Sequence, residues 1–385
     1  MKLIYITNSR LPTEKAHGHQ IVKMCSEFAA AGADVTLLWP TRKNPITQDV
    51  VSYYNLKNNF TLRQINSSDF IQFDRYLKKF SYLLQSLFFL SKLYFLTLDK
   101  DAVIYTRKPE IAWLFKIKGY KVVFESHEWF GKSKNVALKL IKNADKIIVT
   151  NNYLKHEFVK NFFEDKKILV CPHGVDKELF DLNISKEQAL KKLDLVNLVD
   201  KKILLYTGSF KTMGQDKGLK EILHALQILS DKSLFFIAVG GTEQSIKEYQ
   251  ALADLLGVGE QVKLLPHVSQ ASLGYFQKAA DALLMPFPNK AHYKYFMAPL
   301  KMFEYLAATK PIIATDLPSI REILTDETAW FCKPSDPQDL AKVITQVFNN
   351  QESAEKKAQA AHELSFSFSW QARAKKIIEF IFHDR

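Results

Sequence analysis

The stretch Pro299-Leu300-Lys301-Met302-Phe303-Glu304-Tyr305-Leu306-Ala307 is followed, three residues later, by Pro311-Ile312-Ile313-Ala314. The first segment is predicted to be a helix with Pro299 in its first turn, where the missing proline N–H costs nothing. The second is a short apolar run of the kind that forms a buried strand. Short apolar runs alternate with helical patterns throughout the chain, which is typical of parallel βαβ units.

The predicted strands fall into two series. The first is Lys2–Thr7, Asp34–Trp39, Ala102–Thr106, Lys121–Glu125, Lys146–Thr150 and Ile168–Cys171; the second is Ile203–Gly208, Leu234–Val239, Val262–Leu265, Ala282–Met285, Pro311–Ala314 and Ala329–Phe331. A length of 385 residues exceeds what one hydrophobic core usually supports. Two doubly wound α/β domains therefore fit better than one large sheet.

The composition excludes several classes of protein. Only 13 Gly and 13 Pro occur, and 24% of residues are charged, so the chain is neither collagen-like nor disordered. Three cysteines, Cys25, Cys171 and Cys332, have no metal-type or redox-type spacing, which indicates a reducing, cytoplasmic compartment. The N-terminal residues are interpreted as a buried strand, since their apolar run is too short for a signal peptide.

The positive charge lies in one half of the sequence. The formal net charge is +12; residues 1–180 contain 28 Lys+Arg and 17 Asp+Glu, and residues 181–385 contain 25 and 24. A basic half suits an acidic partner such as a membrane, a phosphorylated acceptor or nucleic acid. The alternative is a lysine-rich composition without any partner.

Residues 70–98 combine a Phe- and Leu-rich stretch with flanking Arg75, Lys78, Lys79 and Lys92. This composition is typical of a helix that lies in a bilayer interface. A buried helix of the first domain is the alternative. No stretch reaches the ~18–20 uncharged apolar residues that a spanning helix needs.

Glycines after predicted strands are candidate phosphate-binding positions, although no G-x-G-x-x-G or G-x-x-x-x-G-K-[ST] motif is present. Gly18 and His19 lie in a predicted loop between the first strand and a helix expected over Gln20–Ala31. A glycine there lets backbone N–H groups approach a phosphate or hydroxyl closely. A plain βα turn explains the same residues.

A second glycine turn, Tyr206-Thr207-Gly208-Ser209-Phe210, is followed by Asp216-Lys217-Gly218 and a helix. Lys217 is placed to pair with a diphosphate that Gly208 admits. Lys211 is a second candidate cation in the same loop. A solvated loop lysine before a helix is the alternative for Lys217.

The helix after Pro299 offers a third anion site. The N–H groups of Leu300 and Lys301 have no partner in the first helical turn and are free to meet an anion. Glu304 lies one turn further along on the same face. A carboxylate beside a phosphate site can accept two hydroxyl protons, as acidic residues do from a ribose.

The order of these signals resembles the retaining glycosyltransferases of family GT4, which have the GT-B fold. The matching residues, in chain order, are Gly18, His127, Pro172-His173-Gly174-Val175-Asp176, Gly208, Lys217-Gly218, Val239-Gly240-Gly241, Pro299-Leu300-Lys301-Met302-Phe303-Glu304-Tyr305 and Pro311-Ile312-Ile313-Ala314-Thr315-Asp316. They extend over nearly the whole chain. The resemblance implies two doubly wound Rossmann-like domains that face each other across a cleft.

The resemblance also implies the domain roles: residues 1–180 bind an acceptor, residues 181–362 bind a nucleotide-sugar, and residues 363–385 form a helix that crosses back to the first domain. The donor-binding residues would be Gly208, Ser209, Lys211, Lys217, Gly240, Leu300, Lys301 and Glu304. His127, Lys217 and Glu304 would be the catalytic residues, with His127 beside the transferring sugar. Gly18 and His19 would form a loop on the acceptor side.

This chain departs from the family pattern at three positions. Phe296 stands where many members have a second glutamate eight residues before Glu304, Ser209 replaces a frequent arginine, and His173 replaces an asparagine. Lys211 is a substitute for that arginine. These departures blur the choice of sugar but leave the phosphate and ribose contacts in place.

No Asp-x-Asp follows a strand, so no metal site and no cofactor are expected, and Lys217, Lys211 and helix N–H groups would neutralise the leaving diphosphate. The resemblance implies retention by front-face attack. The expected partners are a nucleotide-sugar donor, with UDP favoured over GDP, a glycan or lipid-linked acceptor and a membrane surface, but no nucleic acid. The enzyme would act in the cytoplasm or on the inner face of the membrane. The alternatives are a nucleotide-sugar epimerase of the same fold and a non-catalytic polyanion- or membrane-binding protein.

Overall fold

The computed structural model describes residues 1–57, 59–77, 79–131, 133–212 and 214–382, without the side chains of residues 74, 77 and 79. The chain divides into two compact units. The first comprises Met1–Pro172 together with Trp370–Arg385, and the second comprises His173–Ser369.

Among the described residues of the first unit, seven parallel strands form one sheet in the order β3-β2-β1-β4-β5-β6-β7. The strands are β1 (Lys2–Ile6), β2 (Asp34–Pro40), β3 (Thr61–Ile65), β4 (Val103–Thr106), β5 (Lys121–Ser126), β6 (Lys146–Val149) and β7 (Ile168–Val170). The helices are α1 (Ala16–Ala30), α2 (Val50–Tyr54), α3 (Asp74–Leu77), α4 (Lys79–Phe95), α5 (Pro109–Ile117), α6 (Lys134–Ile141) and α7 (Asn152–Lys160). The strand order reverses between β1 and β4, which is where ligands bind in open α/β sheets.

The second unit repeats this plan. Its described residues form a parallel sheet in the order β12-β11-β8-β13-β14-β15 and a short antiparallel pair, β9 with β10. The strands are β8 (Lys202–Thr207), β9 (Lys211–Thr212), β10 (Gln215–Asp216), β11 (Leu234–Gly241), β12 (Val262–Pro266), β13 (Ala282–Met285), β14 (Ile312–Thr315) and β15 (Trp330–Cys332). The order reverses between β8 and β13, so the loops after these two strands flank the expected ligand position.

Helices surround the second sheet: α8 (Lys177–Phe180), α9 (Lys186–Lys192), α10 (Leu219–Leu229), α11 (Glu243–Leu255), α12 (Gln270–Ala279), α13 (Leu300–Ala307), α14 (Pro318–Arg321), α15 (Pro337–Asn349) and α16 (Gln351–Ser365). A π-helical turn, His292–Phe296, precedes α13. Two buried clusters form the core, and the central strands β8, β11 and β13 contribute to both.

The last helix, α17 (Trp370–Phe382), belongs to the first unit and contacts α1. The two units divide at 172/173 and 369/370, whereas the sequence placed the boundaries at 180/181 and 362/363. Residues 173–180 join the second unit because Val175 and Phe180 are buried in its core. The Val175 N–H also donates to the carbonyl of Phe368, 2.8 Å away, which ties together the two ends of the unit.

The α/β fold with two Rossmann-like sheets is confirmed, and each of the twelve predicted strands coincides with an observed one. The short strands β9 and β10 were missed, and so was β3. Its residues are exposed or half-buried except for Ile65, so this edge strand has no apolar run that a sequence pattern could reveal.

Candidate functional site

Two glycines close the carboxyl ends of neighbouring strands in the second unit. Gly208 follows β8 with φ +109° and donates its N–H to the carbonyl of Val239, 2.8 Å away. Gly240 is the penultimate residue of β11 and has φ +117°, and a Cβ on it would lie 2.7 Å from the Gly208 carbonyl oxygen. Both positions therefore require glycine, for backbone conformation and, at Gly240, for space as well.

The space beside Gly208 is occupied by the side chain of Lys301. A Cβ on Gly208 would lie 3.3 Å from Lys301 Cε and 3.5 Å from its Nζ. The sequence assigned this space to a diphosphate and gave Lys301 only a backbone role. The missing side chain of Gly208 therefore leaves room for a lysine from α13, and the binding of a diphosphate at this turn stays a prediction.

The Lys301 ammonium has an unusual environment. Its side chain is 93% buried, and Nζ lies 3.2 Å from the centroid of the Tyr206 ring. Within the described ranges no hydrogen-bond acceptor contacts Nζ. Burial lowers the pKa of Lys301 well below its usual value, and the neighbouring Lys217 lowers it further, whereas Glu304 opposes the shift.

Glu304 lies one turn after Lys301 on α13 and is half-buried. Burial raises the pKa of its carboxyl to about 7, and only the positive charge of Lys301 opposes this shift. The next residue, Tyr305, holds α13 against the end of β8, because its hydroxyl accepts a hydrogen bond of 2.9 Å from the Thr207 N–H. The position of Glu304 relative to the Gly208 turn is thus fixed within the unit.

Lys217 lies close to the Gly208 turn, as the sequence predicted. Its Nζ donates to the hydroxyl of Ser209 over 3.0 Å, and burial lowers its pKa to about 8. Gly218 follows with φ +98°, and a Cβ on it would overlap the Pro286 carbonyl oxygen at 1.9 Å. The loops after β8 and β13 are therefore in contact at Gly218, the residue that follows Lys217.

Lys211 is turned toward a different partner. Its Nζ contacts both carboxylate oxygens of Glu248, at 2.7 and 2.5 Å. This ion pair was not expected from the sequence, because Glu248 lies 37 positions further along the chain. Ser209, at the position of the missing arginine, is exposed and contacts Lys217.

The first unit contains a buried charge cluster at the carboxyl end of β5. Glu125 is 1% exposed; its Oε2 accepts from Arg107 Nε over 2.9 Å, and its Oε1 accepts from Arg373 NH2 over 2.6 Å. His127 follows the strand, and its Nε2 lies 2.9 Å from Glu125 Oε1. Burial, reinforced by Arg107, lowers the pKa of His127 to about 4, so this imidazole is uncharged at neutral pH.

Gly18 lies inside α1 and not in a loop before it, which corrects the sequence assignment. Its N–H donates to the carbonyl of Lys15 over 2.9 Å. A Cβ on Gly18 would overlap the Tyr54 hydroxyl at 2.3 Å and Thr13 Cγ2 at 2.4 Å. Close packing explains this glycine. His19 is half-buried, with its ring 6.3 Å from that of Tyr54.

Sequence reasoning did not single out Arg107, Arg373 or the side chain of Lys301. Arg107 follows β4 as His127 follows β5, so its position at a strand end was an available signal. Arg373 had no such signal, since it lies 248 positions from Glu125.

Two family models match the sequence of this chain. Residues 18–179 match Glycosyltransferase Family 4, and residues 189–364 match Glycosyl transferases group 1. Together with the fold, these matches support a GT4-type, group 1 glycosyltransferase.

Similar proteins agree with that class. A D-inositol 3-phosphate glycosyltransferase of Xylanimonas cellulosilytica is 22% identical over 248 residues, which are 63% of this chain and 57% of that protein. The chain spans 57% to 59% of the first curated relatives that it matches.

Solved structures show the GT-B fold. A glycosyltransferase from Rickettsia africae superposes with a TM-score of 0.74 at 17% identity, covering 100% of this chain and 99% of that one. Anabaena HepE in complex with UDP-glucose superposes with a TM-score of 0.74 at 17% identity, covering 98% of both chains. The GT-B fold expected from the sequence is confirmed.

Proposed function

We propose that this protein is a retaining glycosyltransferase that moves a sugar from a nucleotide diphosphate to a hydroxyl acceptor in glycan, lipopolysaccharide or polysaccharide assembly. One observation carries the donor half of this proposal. Glu304 and the lysines Lys301 and Lys217 meet beside the Gly208 turn, where the sheet of the second unit reverses its strand order.

The charges of this site match the parts of a nucleoside diphosphate. The N–H groups at the start of α13 and the two ammonium groups of Lys301 and Lys217 provide positive charge for a diphosphate. Glu304 is the acceptor for two ribose hydroxyls. The complex of HepE with UDP-glucose supports a nucleotide-sugar as the donor, with UDP favoured.

Departure of the nucleoside diphosphate requires neutralisation of its developing charge. We propose that Lys217, Lys301 and the helix N–H groups do this without a metal ion. In the part of the chain that the structure describes, no three His, Cys, Asp or Glu side chains are grouped to hold a metal. Retention would follow from attack on the same face as the departing phosphate.

The acceptor side is assigned to the first unit, with His127 as the group that contacts the transferring sugar. A neutral imidazole can donate one hydrogen bond and accept another. The low pKa of His127 keeps it in this form throughout the physiological range.

Ligand binding is the direct test of the donor assignment. UDP, GDP and their hexose conjugates are each added at 1 mM, and unfolding is followed by thermal shift. Binding to the folded state adds about 2.7 kcal/mol of stability when the ligand is at 100 times its Kd, so we expect the unfolding temperature to rise, most with UDP compounds. No rise with any of them would remove the donor assignment.

The stereochemistry of the product separates the proposed reaction from its alternatives. NMR of the product formed with the best donor and a hydroxyl acceptor should show the anomeric configuration of the donor. An inverted product would contradict retention. Conversion of the nucleotide-sugar into an epimer of its sugar, without any acceptor, would indicate an epimerase.

We also propose that the first unit binds an anionic membrane surface through α4. This helix buries polar side chains: Gln85 is fully buried and accepts from the Phe70 N–H over 3.0 Å, and Ser86 accepts from Asn8 over 3.1 Å. Its outward apolar face consists of Phe80, Leu83, Leu84, Leu87, Tyr94 and Phe95, which are 39% to 81% exposed. Among residues 80–95, Phe89 and Leu93 are the only apolar side chains of α4 that are fully buried.

The charge beside this face suits anionic lipid. Residues 70–118 contain nine Lys or Arg and four Asp or Glu, and α4 has no acidic residue. Lys92 is exposed on the helix itself; Lys78 and the side chain of Lys79, which the sequence also assigned to the membrane, lie outside the described residues. No helix in the described ranges has both the length and the apolarity to cross a bilayer.

Substitution of both Leu83 and Leu87 by Glu is expected to reduce binding to phosphatidylglycerol vesicles by at least about tenfold, because two exposed apolar contacts are replaced by charges that lipid headgroups repel. Flotation at low salt measures the bound fraction. The matched control is Leu255→Glu on α11, which alters a leucine that is 83% exposed in the second unit.

The wild-type protein should bind these vesicles more strongly than phosphatidylcholine vesicles, and Leu255→Glu should bind like the wild type. If sedimentation shows a concentration-dependent dimer that the double substitution abolishes while vesicle binding stays unchanged, the face contacts a second copy and the membrane proposal is wrong.

A further inference from the structure

Arg373 lies on the last helix of the first unit, and its three guanidinium nitrogens make four contacts. It is 4% exposed. Its Nε donates to the carbonyl of Pro172 over 2.8 Å, NH2 donates to Glu125 Oε1 over 2.6 Å and to the Cys171 carbonyl over 3.2 Å, and NH1 contacts Met24 Sδ at 3.4 Å. Only a guanidinium can reach this many separate acceptors in one plane.

The Glu125 oxygen that Arg373 holds is also the oxygen nearest to His127. Arg373 NH2 and His127 Nε2 lie 2.6 and 2.9 Å from the same Oε1 atom. The other oxygen is bound by Arg107, whose NH1 donates in turn to Gln20 over 3.0 Å. Glu125 is thus fixed from both sides and cannot rotate without losing a buried ion pair.

The charges of this cluster do not cancel. Arg107 and Arg373 provide two positive charges and Glu125 one negative charge, in a region where all three side chains are largely or fully buried. Burial contributes most to the low pKa of His127 and Arg107 adds to it, Glu125 opposes the shift, and Arg373 makes a smaller contribution in the lowering direction. The second guanidinium thus adds positive charge close to His127, but its main effect is on the position of Glu125.

We infer that Arg373 is a positioning residue for His127: it fixes the Glu125 oxygen that the imidazole contacts, so the orientation of His127 depends on the last helix. This inference rests on the proposed function only in so far as His127 acts in transfer. The orientation and charge of the imidazole can be measured in the protein without any substrate.

The test is an NMR titration of His127 in the full chain, with the resonance assigned by its loss in His127→Asn. In the wild type we expect no protonation of His127 between pH 8 and pH 5, because its pKa is about 4. Arg373→Met removes one positive charge and frees the Glu125 oxygen, so the midpoint should rise above that of the wild type. Arg373→Lys keeps the charge, so its midpoint should stay low.

The two variants separate positioning from a purely structural role. Arg373→Lys should lower kcat by about tenfold or more, because a lysine cannot hold Glu125 as the guanidinium fork does, while KM for the donor stays near the wild-type value. Lys375→Gln is the matched control: it removes a positive charge from an exposed position of the same helix and should leave both the midpoint and kcat unchanged.

A folded Arg373→Met protein whose His127 midpoint equals that of the wild type would overturn the inference. So would an Arg373→Lys protein that loses activity only in proportion to its unfolded fraction, as measured by circular dichroism. If no nucleotide-sugar is used by the wild type, the proposed function fails, and the titration still decides whether Arg373 influences the environment of His127.

Discussion

Substitution of Glu304 by Ala is expected to weaken UDP binding by about 10- to 150-fold, with little loss of stability. A hydrogen bond to a charged group contributes about 1.5–3 kcal/mol, and the proposed role of Glu304 is to accept ribose hydroxyls. No described residue donates a hydrogen bond to its carboxylate, so the substitution breaks no hydrogen bond among them and removes only the electrostatic interaction with Lys301. Isothermal titration calorimetry with UDP measures the change.

The matched control for Glu304→Ala is a ligand that lacks the groups in question. UDP with a 2′,3′-dideoxyribose has no hydroxyl for Glu304 to accept. Wild type and variant should therefore bind it with similar affinity. If the variant loses the same factor for both ligands, Glu304 acts on another part of the donor and the ribose role is wrong.

The pKa of Glu304 gives this interaction a pH dependence. Burial raises the pKa of its carboxyl to about 7, and the ribose hydroxyls need the ionised form as their acceptor. Below pH 7 the unliganded protein binds a proton that UDP must displace, so affinity should fall by about tenfold per pH unit. Glu304→Gln has no titratable group at this position. The affinity of this variant for UDP over the same pH range therefore shows how much of the change comes from the titration of UDP itself.

Substitution of Lys301 by Met is expected to have effects of opposite sign on stability and on binding. In the unliganded protein the buried Nζ contacts no hydrogen-bond acceptor among the described residues. An unsatisfied buried polar group costs about 1–3 kcal/mol, and the contact with Tyr206 repays only part of that cost. Because methionine fills a similar volume, we expect the variant to unfold at a higher urea concentration near pH 7.

The same variant should bind UDP at least about tenfold more weakly. A positive charge in a low-dielectric site acts on a diphosphate over several ångströms, and the side chain lies against Gly208. Uridine, which has no phosphate, should bind the variant and the wild type alike. Equal loss for uridine and UDP would show that the substitution disturbs the site and does not remove a charge interaction.

The pH dependence of stability provides a further check on Lys301. Its pKa is well below the usual value in the folded protein, so between that pKa and about 10.5 the unfolded chain binds one more proton than the folded chain. The stability of the wild type relative to Lys301→Met therefore rises with pH in this window. A constant difference from pH 7 to pH 10 would contradict a lysine whose pKa is lowered by burial in the folded protein.

Most of the fold could be predicted because its signals are local. The buried strands appear as apolar runs, and Gly208 and Gly240 follow two of them. The edge strand β3 lacks such a run, because Ile65 is its only buried residue. The sequence pattern put Gly18 in a loop. Its structural role is to leave room for Tyr54, and this role was not visible because Tyr54 lies in a helix that the sequence did not predict.

The sequence by itself determined the two series of strands, the glycine turns after β8 and β11, and the spacing that puts Lys301 and Glu304 on one face of α13. These features depend on neighbours within a few residues, which helical and strand periodicity fix. The tertiary structure alone decided that Lys301 fills the space at Gly208, that Arg373 holds Glu125 and that α4 exposes its apolar side. Each depends on residues far apart in sequence, and packing decides which of them meet.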